Sequence, residues 1–322
     1  MEMIQTQPAF LSDPRFSKAI PGLQVQVNSS SLGPFKACPR QYYYSVVLGL
    51  EPFNRSVHLT FGTLIHQGSE RYDLNVLAGM EHEAALLDVV EWALRATWDS
   101  KLHRPWTSGD NAKTREGAVR TLVWYLDKWN LESPDPCRTV RLASGKPAVE
   151  LDFAIDSGYR TRANESVIFI GKLDKIVELG GKFFVKDIKT TGHALGIDFY
   201  KKFSPDNQFS LYSIAAKTAF DFPVEGLIVD GIEVKVTFSR FDRGLVPRTE
   251  EGLDEWLRDS HYWLGQMEAC AIAAHWPQND KSCGLYGGCD FREVCAAKPG
   301  VRAGLLQRGF RVKTPGVSED WL

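Results

Sequence analysis

No apolar run in this 322-residue chain approaches the roughly 18 residues of a membrane span. The opening M-E-M-I-Q-T-Q-P has neither the basic start nor the apolar core of a secretion signal, so a cytoplasmic location is expected. There is no surplus of positive charge. The formal net charge is -2, which excludes a globally basic nucleic-acid binder and leaves only local basic patches or metal ions to hold a polyanion. Internal repeats and low-complexity tracts are missing, and so is a phosphate-binding G-x-x-x-x-G-K-[ST] loop, which rules out a fused helicase motor. The six cysteines include no C-x-x-C pair. In a cytoplasmic protein they are not expected to form structural disulfides and need another explanation.

Nine tryptophans and eighteen phenylalanines supply material for a large core and argue against disorder. The most informative stretch is I-F-I-G-K-L-D-K-I-V-E-L-G-G-K-F-F-V-K-D-I-K-T-T, residues 168–191. Two β-branched runs flank Gly180-Gly181, and a two-residue turn of this type needs φ > 0 at both positions. Such a turn sets Leu179 opposite Lys182 and, five pairs away, Asp174 opposite Asp187. Facing carboxylates repel unless a cation lies between them. Lys189, two residues beyond Asp187, shares its face of the strand. The bland alternative is a solvated hairpin face. The chemical alternative is a site for Mg²⁺ or Mn²⁺, hard ions that take carboxylate oxygens, with Lys189 beside the water they activate. Paired carboxylates also serve glycoside hydrolysis, but that chemistry has no use for the lysine.

Residues 1–28 read as an irregular leader carrying Pro8, Pro14 and Pro21, ended by helix-capping residues Asn28 to Ser31. A long helical pattern opens at Phe61-Gly62-Thr63 and carries His66. A lone histidine there is more often packed than functional. Residues 82–101 and 113–132 read as two further amphipathic helices. Strand character starts near Val149, with Leu151, Phe153 and Ile155 on one face. After the hairpin, a helix starting at Pro205 or Asp206 puts Gln208 and Tyr212 on one side. Gly226 to Phe238 reads as a strand with a break at Gly231, and a long helix runs from Thr249 to about His275. This order predicts an α/β domain with a mixed sheet. Near the end Cys283, Cys289 and Cys295 follow each other with five residues between, and Cys38 stands far upstream. Scattered packed thiols, a zinc site and an iron–sulfur cluster all remain open for them. Cys137 and Cys270 stand apart.

Taken in order, G-K-L-D (171–174), D-I-K-T (187–190) and Q-F-S-L-Y (208–212) resemble the G-x-x-D, (D/E)-x-K and Q-x-x-x-Y motifs of RecB-type nucleases in the PD-(D/E)XK superfamily. G-T-L-I-H places His66 like that family's upstream histidine. Cys38 and the C-terminal triplet resemble the split cluster of the iron–sulfur branch, which includes the CRISPR-adaptation nuclease, the AddB nuclease domain and exonuclease V. The even spacing departs from the C-x-x-C that members of this branch commonly carry. The resemblance covers roughly Ser30 to Lys298. It implies an α/β nuclease core with a central mixed sheet flanked by helices, spanning 29–298, with a helical insertion at 67–140, a cluster loop at 283–295 and a basic tail at 299–322. It implies that Asp174, Asp187, His66 and the Ile188 carbonyl bind Mg²⁺ or Mn²⁺, that Lys189 serves the attacking water, and that Gln208 and Tyr212 brace Lys189 and the DNA strand. Cys38, Cys283, Cys289 and Cys295 would hold a [4Fe–4S] cluster, with structural Zn²⁺ as the alternative. The expected activity is metal-dependent exonucleolytic hydrolysis of single-stranded or end-containing double-stranded DNA in recombination or repair of phage or plasmid type. A recombinase, annealing protein or helicase is the implied partner. The alternatives are a spacer-processing nuclease of CRISPR adaptation and a non-catalytic DNA-binding iron–sulfur protein.

Overall fold

The computed structural model describes residues 13–53, 57–100, 103–130, 133, 137–220, 222–284 and 288–313. Residues 1–12 of the expected leader and 314–322 of the expected tail lie outside these. So do 101, 131 and 132 at the expected helix ends and 285–287 of the cysteine loop. The chain runs through β1 (Gln26–Val27), α1 (Ser29–Ala37), α2 (Pro39–Tyr42), β2 (Leu50–Pro52), α3 (Val57–Leu77), α4 (His82–Ala96), β3 (Trp98–Asp99), β4 (Arg104–Pro105), α5 (Arg115–Lys128) and β5 (Arg138–Thr139). It continues through β6 (Val149–Arg160), β7 (Ser166–Leu179), β8 (Lys182–Thr191), α6 (Ile197–Lys201), α7 (Asn207–Ala219), β9 (Val224–Val234), β10 (Ser239–Pro247), α8 (Glu250–Ile272), α9 (Arg292–Ala296), α10 (Pro299–Gly309) and β11 (Phe310–Val312). The described residues divide into two compact units. One is drawn from Met1–Arg55, Ala154–Gly171 and Glu250–Gly316, the other from Ser56–Phe153 and Lys172–Thr249.

In the second unit, the hairpin of β7 and β8 turns at Gly180 and Gly181, with φ of 59° and 78°. Those angles permit the two-residue turn and fix its register, from Leu179↔Lys182 to Lys175↔Lys186. Strand β9 lies parallel to β8 on its other side, from Phe183↔Val224 to Thr191↔Glu233. A parallel neighbour requires a long crossover, and α6 and α7 supply it. Strand β10 returns antiparallel to β9, and β5 pairs antiparallel with β7. The sheet is therefore mixed and flanked by helices, as expected. Gly231 does not break β9. Leu195, Phe199 and Tyr200 press so closely on it that a Cβ would meet their atoms at 2.8–3.0 Å, so the glycine serves close packing within a continuous strand.

Helix α3 buries Phe61, Leu64, Ile65, Gly68, Ser69 and Tyr72, a stripe at helical spacing. It packs with α4 and α5 around Leu122 and Tyr125 onto Ile188, Ile232 and Val234 of the sheet. Helix α7 starts after Asp206, whose carboxylate accepts a hydrogen bond from the Phe209 N–H at 2.9 Å.

In the first unit, β1 runs parallel to the start of β7, with Val27↔Phe169. Asn28 and Ser31 cap α1 reciprocally, at 2.8 and 3.1 Å. The segment expected to be an irregular leader supplies Phe16, Ile20 and Leu23 to a core with Phe35, Tyr42, Met267 and Trp276. Residues 299–313, expected as a tail, form α10 and β11. Their Leu305, Leu306 and Phe310 pack on Tyr44, Phe291 and Val294. Those apolar residues are spread among Arg302, Arg308 and Arg311, which masks them in the sequence.

A buried ionic knot lies within the second unit. Asp230 is fully buried and meets Lys186 Nζ at 2.7 Å and Arg243 Nε at 2.6 Å. The Tyr125 hydroxyl donates to it at 2.8 Å. Burial alone would raise the Asp230 pKa. The two cations outweigh burial and hold the carboxyl well below its usual range. Asp230→Ala would strand two buried cations and should cost about 3–5 kcal/mol in urea denaturation. Because the folded-state pKa is depressed, the Asp230 contribution is complete above about pH 4 and is lost as the pH falls through the folded value. The stability of Asp230→Ala should therefore fall less steeply than wild type below pH 4. Parallel pH curves would sink this account.

Candidate active site

Adjacent strands bring the two aspartates together. The hairpin ladder is paired as far as Lys175↔Lys186, one residue short of Asp174 and Asp187, and the two carboxylates lie near enough for Asp174 to raise Asp187. Asp187 is 1 % exposed. Lys189, on the same face, sets its Nζ 3.0 Å from Asp187 Oδ1 and 2.8 Å from Oδ2. It also donates to Gln208 Oε1 at 3.0 Å, and Gln208 Nε2 donates to the Tyr212 hydroxyl at 2.9 Å. Gln208 and Tyr212 are one turn apart on α7, and Tyr212 rests edge-on against Phe153. Four side chains thus form one unbroken run of contacts from Tyr212 to Asp187.

His66 enters from α3. Its Nε2 lies 2.6 Å from the Ile188 carbonyl, an acceptor, so the proton on Nε2 is fixed. Its Nδ1 lies 2.9 Å from Asp174 Oδ2. The imidazole therefore touches both Asp174 and the Ile188 carbonyl. Every residue that the motifs singled out for this site is gathered here.

Charge dictates the protonation states. Burial would lower the His66 pKa, but the Asp174 and Asp187 carboxylates override it and push it up to about 9. Burial and the neighbouring Asp174 raise Asp187 to about 6, against the pull of Lys189. Asp174 is lowered, because His66 and Lys189 outweigh its burial. Lys189 is raised by Asp187 in spite of burial, so it stays an ammonium and acts as a donor.

The fit to a metal ion rests on the acids. Asp174 Oδ2 and Asp187 Oδ2 are buried and lack a partner with hydrogen-bond geometry, although His66 and Lys189 stand within ion-pair distance. Buried carboxylate oxygens short of donors are what a hard divalent cation uses. Among the described residues, no group of three or more His, Cys, Asp or Glu side chains is drawn together as a ready metal cage. Here Lys189 and His66 supply the positive charge between the acids.

A second acidic layer escaped the sequence reading. Glu70 lies one turn beyond His66 on α3. Burial raises its pKa, with Lys172 opposing and Asp174 adding. Glu150 on β6 is raised by burial and then by Glu70 and Asp174. Lys172 Nζ lies 3.3 Å from Glu150 Oε2. The four-residue step from His66 to Glu70 and the two-residue step from Lys172 to Asp174 were the available signals.

Cys38, Cys283, Cys289 and Cys295 all fall in the first unit, and all are free thiols. Burial raises Cys289, and Cys295, Cys38 and Cys283 each add to that shift, so the four lie within electrostatic reach of one another. Asn279 ties two of them. Its N–H donates to Cys38 Sγ at 3.4 Å, and its carbonyl accepts from Cys283 Sγ at 3.9 Å. Burial raises the Cys295 thiol as well, and Arg40 and Arg302 oppose that shift without reversing it. An N–H···S donor and two guanidiniums stand near these thiols, which are not drawn into a ready metal cage among the described residues. Cys270 packs at the edge of the core around Met267 and Trp276, and Cys137 packs beside Val177 and Ile228.

The helices of the described residues include none long and apolar enough to cross a membrane. No curated protein matches the chain. Among solved structures, the chain is similar to one described as a "Putative exonuclease" from Eubacterium rectale, at 11% identity and a TM-score of 0.46, covering 81% of this chain and 86% of the other. It is also similar to the protein SSO0001, at 15% identity and a TM-score of 0.33, covering 86% of each chain. Superpositions this loose carry no functional argument. The model of the PD-(D/E)XK nuclease superfamily matches residues 26–296, which contain both aspartates, the lysine, His66 and all four clustered cysteines. The chain belongs to the PD-(D/E)XK nuclease superfamily.

Proposed function

We propose that this nuclease is a metal-dependent DNA exonuclease of recombination or repair, acting from the ends of single- or double-stranded DNA. The observation that carries the site is the run of contacts Tyr212–Gln208–Lys189–Asp187 beside Asp174, His66 and the Ile188 carbonyl. In this reading Asp174, Asp187, the Ile188 carbonyl and His66, which must first give up a proton and its hold on that carbonyl, would hold Mg²⁺ or Mn²⁺. When bound, such an ion polarises a phosphoryl oxygen and lowers the pKa of water. Lys189 orients the attacking water by donation and neutralises charge developing on the phosphoryl oxygens. Gln208 fixes the ammonium, and Tyr212 fixes Gln208. Exonuclease action and the pathway rest on the ordered motifs and their resemblance to the RecB-type iron–sulfur branch. A recombinase, annealing protein or helicase is the proposed partner, and the cytoplasm the proposed location.

Cys38, Cys283, Cys289 and Cys295 are proposed to hold a [4Fe–4S] cluster that staples distant parts of the chain. Protein purified without oxygen should be brown, with a broad visible absorption that oxidation bleaches and that Cys289→Ala lacks. A colourless protein carrying one zinc would replace the cluster with the zinc alternative.

The activity is tested on end-labelled linear and circular DNA, single- and double-stranded, with Mn²⁺ or EDTA. Linear DNA alone should be degraded, Mn²⁺ should be required, and Lys189→Ala should be inactive. Cutting of closed circles would overturn the exonuclease assignment, and full activity in Lys189→Ala would overturn the site. Hydrogen bonds to charged groups contribute about 1.5–3 kcal/mol, so Gln208→Leu should slow cleavage roughly 10- to 100-fold with the fold intact. Wild-type turnover in Gln208→Leu would remove Gln208 from the assembly.

A further inference from the structure

The loop between Lys189 on β8 and Gln208 on α7 carries two lysines, Lys201 and Lys202, and Lys235 and Arg248 reach it from elsewhere; three of these four are engaged. Lys201 Nζ pairs with Asp198 at 3.3 Å. Lys235, which reaches the loop from beyond β9, pairs with Glu233 at 3.6 Å and donates to the Gly192 carbonyl at 2.7 Å. The Arg248 guanidinium is taken by the carbonyls of Phe203 and Pro247 and by Ser204 Oγ. Lys202 differs: among the described residues it has no carboxylate at ion-pair distance. Its exposed side chain lies across two aromatic faces, with Nζ 4.0 Å from the Phe199 ring centre and 4.9 Å from that of Phe203.

That platform is firmly seated. Phe199 and Phe203 are 6 % and 7 % exposed. Tyr200 fills the space that a side chain at Gly244 would need, since a Cβ there would stand 2.3 Å from its ring. Phe203 packs on Phe209 with ring centres 5.1 Å apart, and Lys189 Nζ stands 5.5 Å over the Phe209 ring. Lys189 and Lys202 thus stand over the two members of one aromatic pair. Burial lowers the Lys202 pKa and the Lys189 ammonium lowers it further, so each feels the charge of the other. Two ammonium groups so placed, with no acid bound to the outer one, attract a chain of anions.

We propose that Lys202 binds a backbone phosphate flanking the scissile one and so sets the position of the DNA strand over Lys189. This rests on the site reading above. Lys202 is a binding and positioning residue and takes no part in bond cleavage. Phosphate contacts of this type fix register on the strand and carry no base sequence. The aromatic base limits the freedom of the side chain, which distinguishes Lys202 from a solvated surface lysine.

The test compares wild type, Lys202→Ala, Lys202→Arg, Lys201→Ala and Lys189→Ala. Binding of a fluorescent single-stranded oligonucleotide in EDTA is followed by anisotropy across a salt series, and cleavage is followed with Mn²⁺. Loss of one phosphate contact should flatten the slope of log affinity against log salt by about 0.7. For Lys202→Ala we expect that flattening, a KM several-fold higher and a kcat within about twofold of wild type. Lys202→Arg should restore KM, and Lys201→Ala should match wild type. In a scan of single methylphosphonate linkages, wild type should lose affinity at a linkage flanking the cut, and Lys202→Ala should lose nothing further there. A wild-type salt slope and an unchanged scan in Lys202→Ala, with Lys189→Ala inactive, would overturn this proposal and leave the site reading standing. Full cleavage by Lys189→Ala would remove the site reading and this proposal with it.

Discussion

Two neighbouring carboxylates, Asp187 buried and Asp174 half-buried, are the constraint around which the second unit is arranged. A buried anion is costly unless paired, and two of them multiply that cost. Asp187 is 1 % exposed and has Asp174 across the strand boundary. Lys189 answers from the same strand and His66 from α3. Each cation then needs its own restraint. Gln208 and Tyr212 hold the lysine, and the Ile188 carbonyl holds the imidazole. The positions of α3 and α7 against the sheet are thereby tied to a charge problem as much as to apolar packing. A divalent ion would answer the same problem more strongly.

Strand β8 serves two ionic systems at once. Its odd-numbered face presents Asp187 and Lys189. Its even-numbered face presents Lys186 to Asp230 and sends Ile188 into the core with Ile65 and Ile232. A slip of one residue would exchange the faces, burying the Lys189 ammonium among leucines and isoleucines and turning Ile188 toward the acids. The glycine turn forbids that slip from one side. The Lys186–Asp230–Arg243 knot forbids it from the other, because Asp230 sits in the register of both β8 and β10. The knot is thus a register device for the face that carries the candidate chemistry, in addition to whatever it contributes to stability.

Much of this was legible because it is local. The Gly180-Gly181 turn fixes pairing by counting, and the observed ladder follows that count as far as Lys175↔Lys186, the pair next to Asp174 and Asp187. Gln208 and Tyr212 follow from helical spacing once Asp206 is read as a cap. The knot was not legible, since Lys186, Asp230 and Arg243 meet only through the order of β8, β9 and β10. Strand β10 itself was hidden: its residues Ser239 to Pro247 alternate weakly, and three of them are arginine or aspartate. Gly231 was misread because close packing and chain breaking use the same residue type. Glu70 and Glu150 were missed for a related reason, as ordinary acids gain significance only from the carboxylate they are placed beside.

The first unit poses a different problem. It is assembled from three stretches that lie far apart along the chain. Bringing them together costs loop-closure entropy, which grows with the logarithm of the intervening length. Its two clusters of apolar side chains, around Trp276 and around Phe291, must offset that cost. A centre that bonds Cys38 to the C-terminal triplet would close a loop of roughly 250 residues, a constraint on the unfolded chain worth on the order of 5 kcal/mol. A cross-link there acts on the part of the fold with the most separated pieces.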